Sequence, residues 1–382
     1  MSPSAIQVVR RRECCPAAPA TQRRRPAPAR PRVAMVVASL EILGGHSVQA
    51  LTLAGRLRDE GYGVDVVPIN PPFPVGLGWV RRWPYARTLL TQGLYRASLG
   101  RLLACDVVHV FAASYWSFLL GPAPAIKAAR RFGKRIVLNY HSGEAEDHLA
   151  RWGRLVHPAL RMVDDIVVPS AYLRDVFSRH GHVARVIPNV VDTAAFAYRD
   201  RLPLRPRLLS TRNLEPGYDV SNTLEAFARL RERCPEATLA VAGDGSEAGV
   251  LHRRAAALGI DGAVSFLGRI EPDAMPALYG DADLFVNSSV VDNQPISVLE
   301  ALAAGLPVVS TAPGAIAEMV RDGETGLLVP ERNPDAMARA IAGLLAEPER
   351  AVAMARRARM SVAAYTWPHV RERWATAYGV AG

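Results

Sequence analysis

Apolar positions along this chain fall in short blocks, not in long runs. Arg32–Leu40 (RVAMVVASL) is apolar at nearly every position, as in a strand buried on both faces. Similar blocks recur at Val64–Pro68, Asp106–Phe111, Arg135–Tyr140 and Asp165–Pro169. Between them, Ser47–Asp59, ended by Gly61, and Pro124–Phe132 read as helices. Ser170 is placed to cap the helix that follows the fifth block. A second series starts at Arg207–Ser210. It continues with the strand-like segments Ala237–Ala242, Val264–Leu267 and Leu284–Asn287, and with the helix-like segments Thr223–Arg233, Ala248–Leu258 and Ala274–Tyr279. Strands alternating with helices predict parallel sheets. Two such series predict an α/β chain of two doubly wound, Rossmann-like domains facing a cleft. Ligands of such sheets sit at the carboxyl ends of the strands. The 382 residues suffice for two cores.

The pattern also marks what the chain lacks. No apolar run reaches the roughly 18–20 residues of a membrane-spanning helix. The four cysteines, at 14, 15, 105 and 234, have no metal or disulfide spacing, which points to a reducing cytoplasm. Residues 1–31 carry seven Arg against one Glu with no apolar core of signal-peptide type, and read as a disordered tail. Charge is uneven. Residues 1–200 hold 27 Lys and Arg against 14 Asp and Glu, whereas residues 201–382 hold 19 against 22. A basic first half suits an anionic partner such as a membrane, a nucleic acid or a phosphorylated acceptor. A coding bias toward Arg explains it equally well, since Lys occurs only at 127 and 134.

The densest chemistry lies in Asp292–Gly326 (DNQPISVLEALAAGLPVVSTAPGAIAEMVRDGETG). A polar loop enters an Ala-rich helix carrying Glu300. Gly305 and Pro307 end it, a short β-branched strand follows, and a Gly-containing loop opens another helix. Two loops thus end near helix N-termini, where unpaired N–H groups and the helix dipole favour anions. Asp292 and Glu300, eight residues apart, are spaced to flank one pocket.

This stretch resembles the nucleotide-sugar signature of the retaining glycosyltransferases of family 4, the group 1 glycosyl transferases. The matching residues are Asp292, Glu300, Gly305, Pro307, Val308, Val309, Gly314 and Glu318, followed by Asp322–Gly326. The family usually has Glu where Asp292 stands, and a subset of it writes the loop as Asp-Asn-x-Pro. The resemblance implies the GT-B fold. It also implies an N-terminal acceptor-side domain over 32–191, a nucleotide-sugar domain over 192–365 and a C-terminal helix over 366–382 packing back on the first domain. Val186–Asp192 resembles the interdomain hinge segment.

The resemblance also assigns roles residue by residue. His141 ends a strand near the donor sugar. Arg212 and Asp292 join it as the catalytic set. Gly44, Gly45, Arg212, Gly243, Ile270, Asn293, Gln294, Pro295, Ile296, Ser297 and Glu300 hold the donor. Glu300 is expected to accept two ribose hydroxyls, and Arg212 to grip the diphosphate bidentately. A family Lys six residues after that Arg is replaced here by Tyr218. His109 also ends a strand and is left between a structural and a functional role. Asp281-Ala282-Asp283 reads as a structural helix-to-strand junction, not a metal motif.

The implied reaction is transfer of a sugar from a UDP- or GDP-sugar to a glycan, lipid-linked or small-molecule acceptor. No cofactor, obligatory metal or nucleic acid is expected. The implied location is cytoplasmic and peripheral at the inner face of an anionic membrane, where Trp79, Arg81, Arg82, Trp83, Arg87, Arg96 and Arg101 form a basic, aromatic stretch. Two rivals remain: a sugar-nucleotide-binding protein with a weakened site, and a GT-B epimerase, which needs further acids in the first domain.

Overall fold

The computed structural model describes residues 30–38, 45–74 and 76–380. The tail before residue 30, and Gly44 with it, lies outside the described residues. Two six-stranded sheets form, and every strand pairing in them is parallel. The first holds β1 (Arg32–Val37), β2 (Gly63–Pro68), β3 (Val107–Ala112), β4 (Arg135–Tyr140), β5 (Asp165–Val168) and β6 (Arg185–Val186), in the order β2-β1-β3-β4-β5-β6. The second holds β7 (Arg207–Ser210), β8 (Thr238–Ala242), β9 (Val264–Gly268), β10 (Leu284–Asn287), β11 (Val308–Ser310) and β12 (Leu327–Leu328), in the order β12-β11-β10-β7-β8-β9.

The apolar blocks explain why. In β1, Ala34 and Val36 face one core cluster while Val33, Met35 and Val37 face another. In β10, Leu284 and Val286 face one side and Phe285 the other. Successive side chains of a strand alternate between faces, so a strand covered on both must be apolar throughout. Helices supply the cover. The helix Gly45–Asp59 packs Ala50, Leu53, Ala54 and Leu57 against the Val33 side. It begins two residues before the predicted Ser47. The helix Pro122–Arg131 lays Ile126 and Ala129 on the other face.

The chain passes between the two halves twice. The segment after β6 carries Val190, whose N–H and C=O both bond the Gln49 side chain at 3.0 and 2.8 Å. The chain then returns at its end. In the helix Trp367–Ala377, Val370, Trp374 and Ala377 pack with Tyr378 into the cluster formed by β1 and the helix Gly45–Asp59. Tyr378 reaches His109, with 2.8 Å between its hydroxyl and Nδ1. His109 is wholly buried, and burial pushes its pKa down to about 3, so it stays neutral. The open choice for His109 therefore resolves toward a core residue.

Candidate active site

The carboxyl ends of both sheets border one cleft of about 900 Å³. Parallel strands put all their carboxyl ends on one edge, which is why loops distant in sequence meet there. Of the residues expected to act, His141, Arg212, Gly243, Ile270, Asp292, Asn293, Gln294, Pro295, Ile296, Ser297 and Glu300 all line it. Gly45 opens the helix Gly45–Asp59. From that helix the cleft takes Val48, Gln49 and Thr52.

Arg212 follows β7. Its Nη2 lies 2.5 Å from Asp292 Oδ2, and its Nη1 donates to Ser297 Oγ at 3.0 Å. Its guanidinium sits 4.1 Å from the centroid of the Tyr218 ring. Tyr218 thus occupies the place of the missing second cation and stacks on the first. Gly243 explains how Arg212 is held. It has φ +149, and any Cβ there would run into the Arg212 carbonyl. Gly245 stands in the same relation to the Leu214 carbonyl.

Glu300 lies on the helix Ile296–Ala304, which begins after Pro295 with no side-chain cap. Burial raises its pKa to about 7. A hydrogen bond from the Tyr279 hydroxyl and the charge of Arg212 pull the other way. Tyr279 also bonds Thr211 Oγ1 at 2.7 Å and the Ser297 carbonyl at 3.1 Å, so one buried phenol braces both strand end and helix. Neither Tyr279 nor Thr211 was singled out in the sequence. A lone Tyr in an apolar helix carries no signal until the fold places it.

Asn293 and Gln294, expected at the donor, are spent largely between the domains. Ser170 Oγ donates to Asn293 Oδ1 at 2.6 Å. Gln294 Nε2 donates to the Pro169 carbonyl at 2.8 Å, and its Oε1 accepts from Asn189 N at 2.7 Å. The reason is reach: the loop after β10 crosses to the first sheet, and amides there satisfy main-chain groups that water has left. Glu318 does the same with charge. Its two oxygens accept from Ala171 N at 3.1 Å and Tyr172 N at 2.7 Å, at the start of the helix Ala171–Arg179. The Asp292 carbonyl is pinched between glycines. A Cβ on Gly143 would come within 2.6 Å of it, and one on Gly314 (φ +61) would also collide with it.

His141 is buried at the end of β4 and stacks 5.6 Å from Phe111. Asp283 directly precedes β10, at the opposite edge from the cleft, and accepts from Arg199 Nη2 at 2.9 Å. Its role is structural.

A two-domain protein of parallel sheets with an arginine in the loop after β7, a buried carboxylate and a cleft between is the class to which known proteins can be compared. The description "Glycosyl transferases group 1" matches residues 200–361, and "Glycosyltransferase Family 4" matches residues 43–195. A GDP-mannose-dependent alpha-(1-6)-phosphatidylinositol monomannoside mannosyltransferase of Mycolicibacterium smegmatis is 33% identical over 285 residues, 68% of this chain and 70% of that protein. A glycogen synthase of Mycobacterium tuberculosis is 30% identical over 308 residues, 76% of this chain and 73% of that protein. A D-inositol 3-phosphate glycosyltransferase of Salinispora tropica is 31% identical over 397 residues, 88% and 81% of the two chains. Among solved structures, Anabaena HepE in complex with UDP-glucose superposes with a TM-score of 0.73 at 17% identity, over 92% of this chain and all of that one. Sucrose-phosphate synthase of Thermosynechococcus elongatus gives 0.67 at 19%, over 92% and 98%. These two establish the GT-B fold. The chain belongs to the group 1 glycosyl transferases and is a glycosyltransferase enzyme.

Proposed function

We propose that this enzyme transfers a sugar with retention of anomeric configuration, from a nucleotide-diphosphate sugar to a hydroxyl-bearing acceptor. The observation that carries the reading is the convergence of Arg212, the start of the helix Ile296–Ala304 and Glu300 on one cleft. Relatives named for GDP-mannose and a structural neighbour holding UDP-glucose support a nucleotide-sugar donor.

The chemistry follows from the leaving group. Heterolysis of the anomeric C–O bond leaves an oxocarbenium-like sugar and a diphosphate anion. Arg212 and the N–H groups at Ile296 and Ser297 stabilise that anion as it forms. The diphosphate takes Arg212 from Asp292, which frees Asp292 to bond the donor sugar beside His141. Glu300, once ionised, accepts the two ribose hydroxyls. The acceptor oxygen attacks the face the diphosphate leaves, and its proton passes to the departing phosphate oxygen. A carboxylate nucleophile is not needed for this same-face attack.

Incubating the protein with UDP-, GDP- and ADP-sugars and measuring donor hydrolysis tests this. Release of one nucleoside diphosphate is expected. Inertness toward all three, with no binding by calorimetry, overturns it.

A lipid-linked acceptor is favoured by one surface. Trp79, Trp83, Tyr85 and Leu89 are 63–88% exposed on and before the helix Pro84–Ser98, next to exposed Arg82 and Arg87. Exposed tryptophans beside arginines suit an anionic membrane surface. A protein beginning at Arg30, so lacking the basic tail, is expected to sediment with anionic vesicles at low salt. Failure to do so removes this surface from consideration.

A further inference from the structure

The walls of the cleft differ in charge. From the first domain and the segment joining it to the second, it is lined by Gln49, His141, Glu144, Asn189 and Asp192 among others, with no Lys or Arg among the described residues. From the second it has Arg212 and Arg269. The excess positive charge of the first half therefore lies elsewhere than on this wall. Asp192 is matched by Arg56 at 2.8 Å. Glu144 is not in any ion pair among the described residues. Burial and the neighbouring Asp147 raise its pKa.

Glu144 directly precedes the helix Ala145–Leu160, which leads from the cleft to an aromatic group. Asp147, nearly one turn on, accepts from the Tyr115 hydroxyl at 2.7 Å. Trp152 packs edge-on against Tyr115 at 5.8 Å and Trp116 at 5.2 Å, and Trp116 is 65% exposed. Tyr115 follows β3 at its carboxyl end with φ +56, a conformation a Tyr keeps only where its surroundings impose it. Carboxylates beside exposed rings make the chemistry that holds sugars: the oxygens take hydroxyl protons, and the rings cover the apolar C–H face.

We propose that the acceptor presents an uncharged sugar or polyol group, bonded through its hydroxyls by Glu144, with the Trp116–Trp152 pair about two helical turns further on covering the rest of a longer acceptor, and that Glu144 rejects acceptors phosphorylated near the reacting hydroxyl. This rests on the donor reading above. A phosphate dianion beside an unpaired carboxylate, with no cation on that wall among the described residues, is repelled. One relative is named for D-inositol 3-phosphate, so this chain is expected to differ from it in acceptor charge.

The test offers the full-length enzyme and its donor two matched pairs: methyl α-mannoside with mannose 6-phosphate, and myo-inositol with D-inositol 3-phosphate. Donor hydrolysis without acceptor is the control for the donor site. Transfer to the neutral member of a pair, at least about tenfold faster than to its phosphorylated partner, is expected. Glu144→Lys is expected to reverse that preference. Equal or faster use of the phosphorylated members by the wild type, with donor hydrolysis intact, overturns this inference alone. So does transfer to neither member of either pair. Loss of donor hydrolysis itself overturns the donor reading and this inference with it.

Discussion

The two domains share a topology but carry function differently. In the second, the functional groups are packed into the fold: Gly243 and Gly314 each admit no side chain beside Arg212 and Asp292, and Tyr279 braces Glu300 from a fully buried position. In the first, the cleft wall is a set of separate side chains on loop ends, such as Glu144 and His141, and the tight glycine near them, Gly143, serves the Asp292 carbonyl of the second domain. A diphosphate has one geometry, so its site demands a fixed backbone. Acceptors differ between enzymes, and a wall of replaceable side chains suits that.

The largest expected effect breaks the comparison at the diphosphate. Arg212→Ala is expected to lower turnover on the order of 10²–10³-fold, as when an oxyanion donor is lost. Turnover within a few-fold of wild type, measured by release of nucleoside diphosphate, would remove Arg212 from the site.

Next comes the seam between the domains. Gly143→Ala puts a methyl about 2.6 Å from the Asp292 carbonyl and must push the first domain away. Turnover is expected to fall on the order of 10²-fold, since misplacing reactants by about an ångström has that effect. Nucleotide affinity should change less than turnover, because Arg212 and Glu300 lie off this contact. An equal fall in affinity would show that the halves do not divide the work in this way.

Tyr218→Lys sharpens the comparison more gently. It adds a cation beside Arg212 and removes a stacked ring. Nucleoside diphosphate is expected to bind a few-fold tighter, about 1 kcal/mol as for one exposed charge contact. Weaker binding would assign the Tyr218 ring its own task in holding Arg212.

The smallest effect is on stability. Because folding raises the Glu300 pKa to about 7, the folded protein prefers Glu300 protonated. The resulting handicap is absent well below the usual carboxyl value of 4.5, builds between 4.5 and about 7, and is complete above that. Glu300→Gln should therefore raise Tm at pH 8 by more than it does at pH 4. A variant less stable than wild type at pH 8 would mean that the carboxylate is not under strain there.

The sequence carried much of this unevenly. Sheet composition was legible because strands buried on both faces leave unbroken apolar blocks. β4 and β10 have the bounds the pattern predicts, and β9 extends one residue further, to Gly268. That Arg212, Asp292 and Glu300 share one cleft was legible because they fall in two short segments of the second domain. What was not legible was long-range. Nothing local reveals that Glu318 caps a helix 146 residues earlier, or that Gln294 joins Asn189 across 105 residues. A carboxylate or an amide in a signature loop reads as ligand-binding until the partner surface is in place. Glu144 and Trp116 were missed for the same reason: each gains its meaning from the helix that brings Asp147 and Trp152 beside Tyr115.

The central claim is that Glu300, as a carboxylate, takes the ribose of a nucleotide bound in the second domain. Calorimetric titration of UDP and GDP into wild type and Glu300→Gln, at pH 6 and pH 8, tests it most directly. The terminal phosphate itself titrates near pH 6, which makes the variant the necessary reference. At pH 8 the wild type is expected to bind its preferred nucleotide at least about tenfold tighter than Glu300→Gln, the effect of one hydrogen bond to a charged group. At pH 6, where Glu300 is mostly protonated, the gap should shrink. Equal affinities at pH 8 would contradict the account.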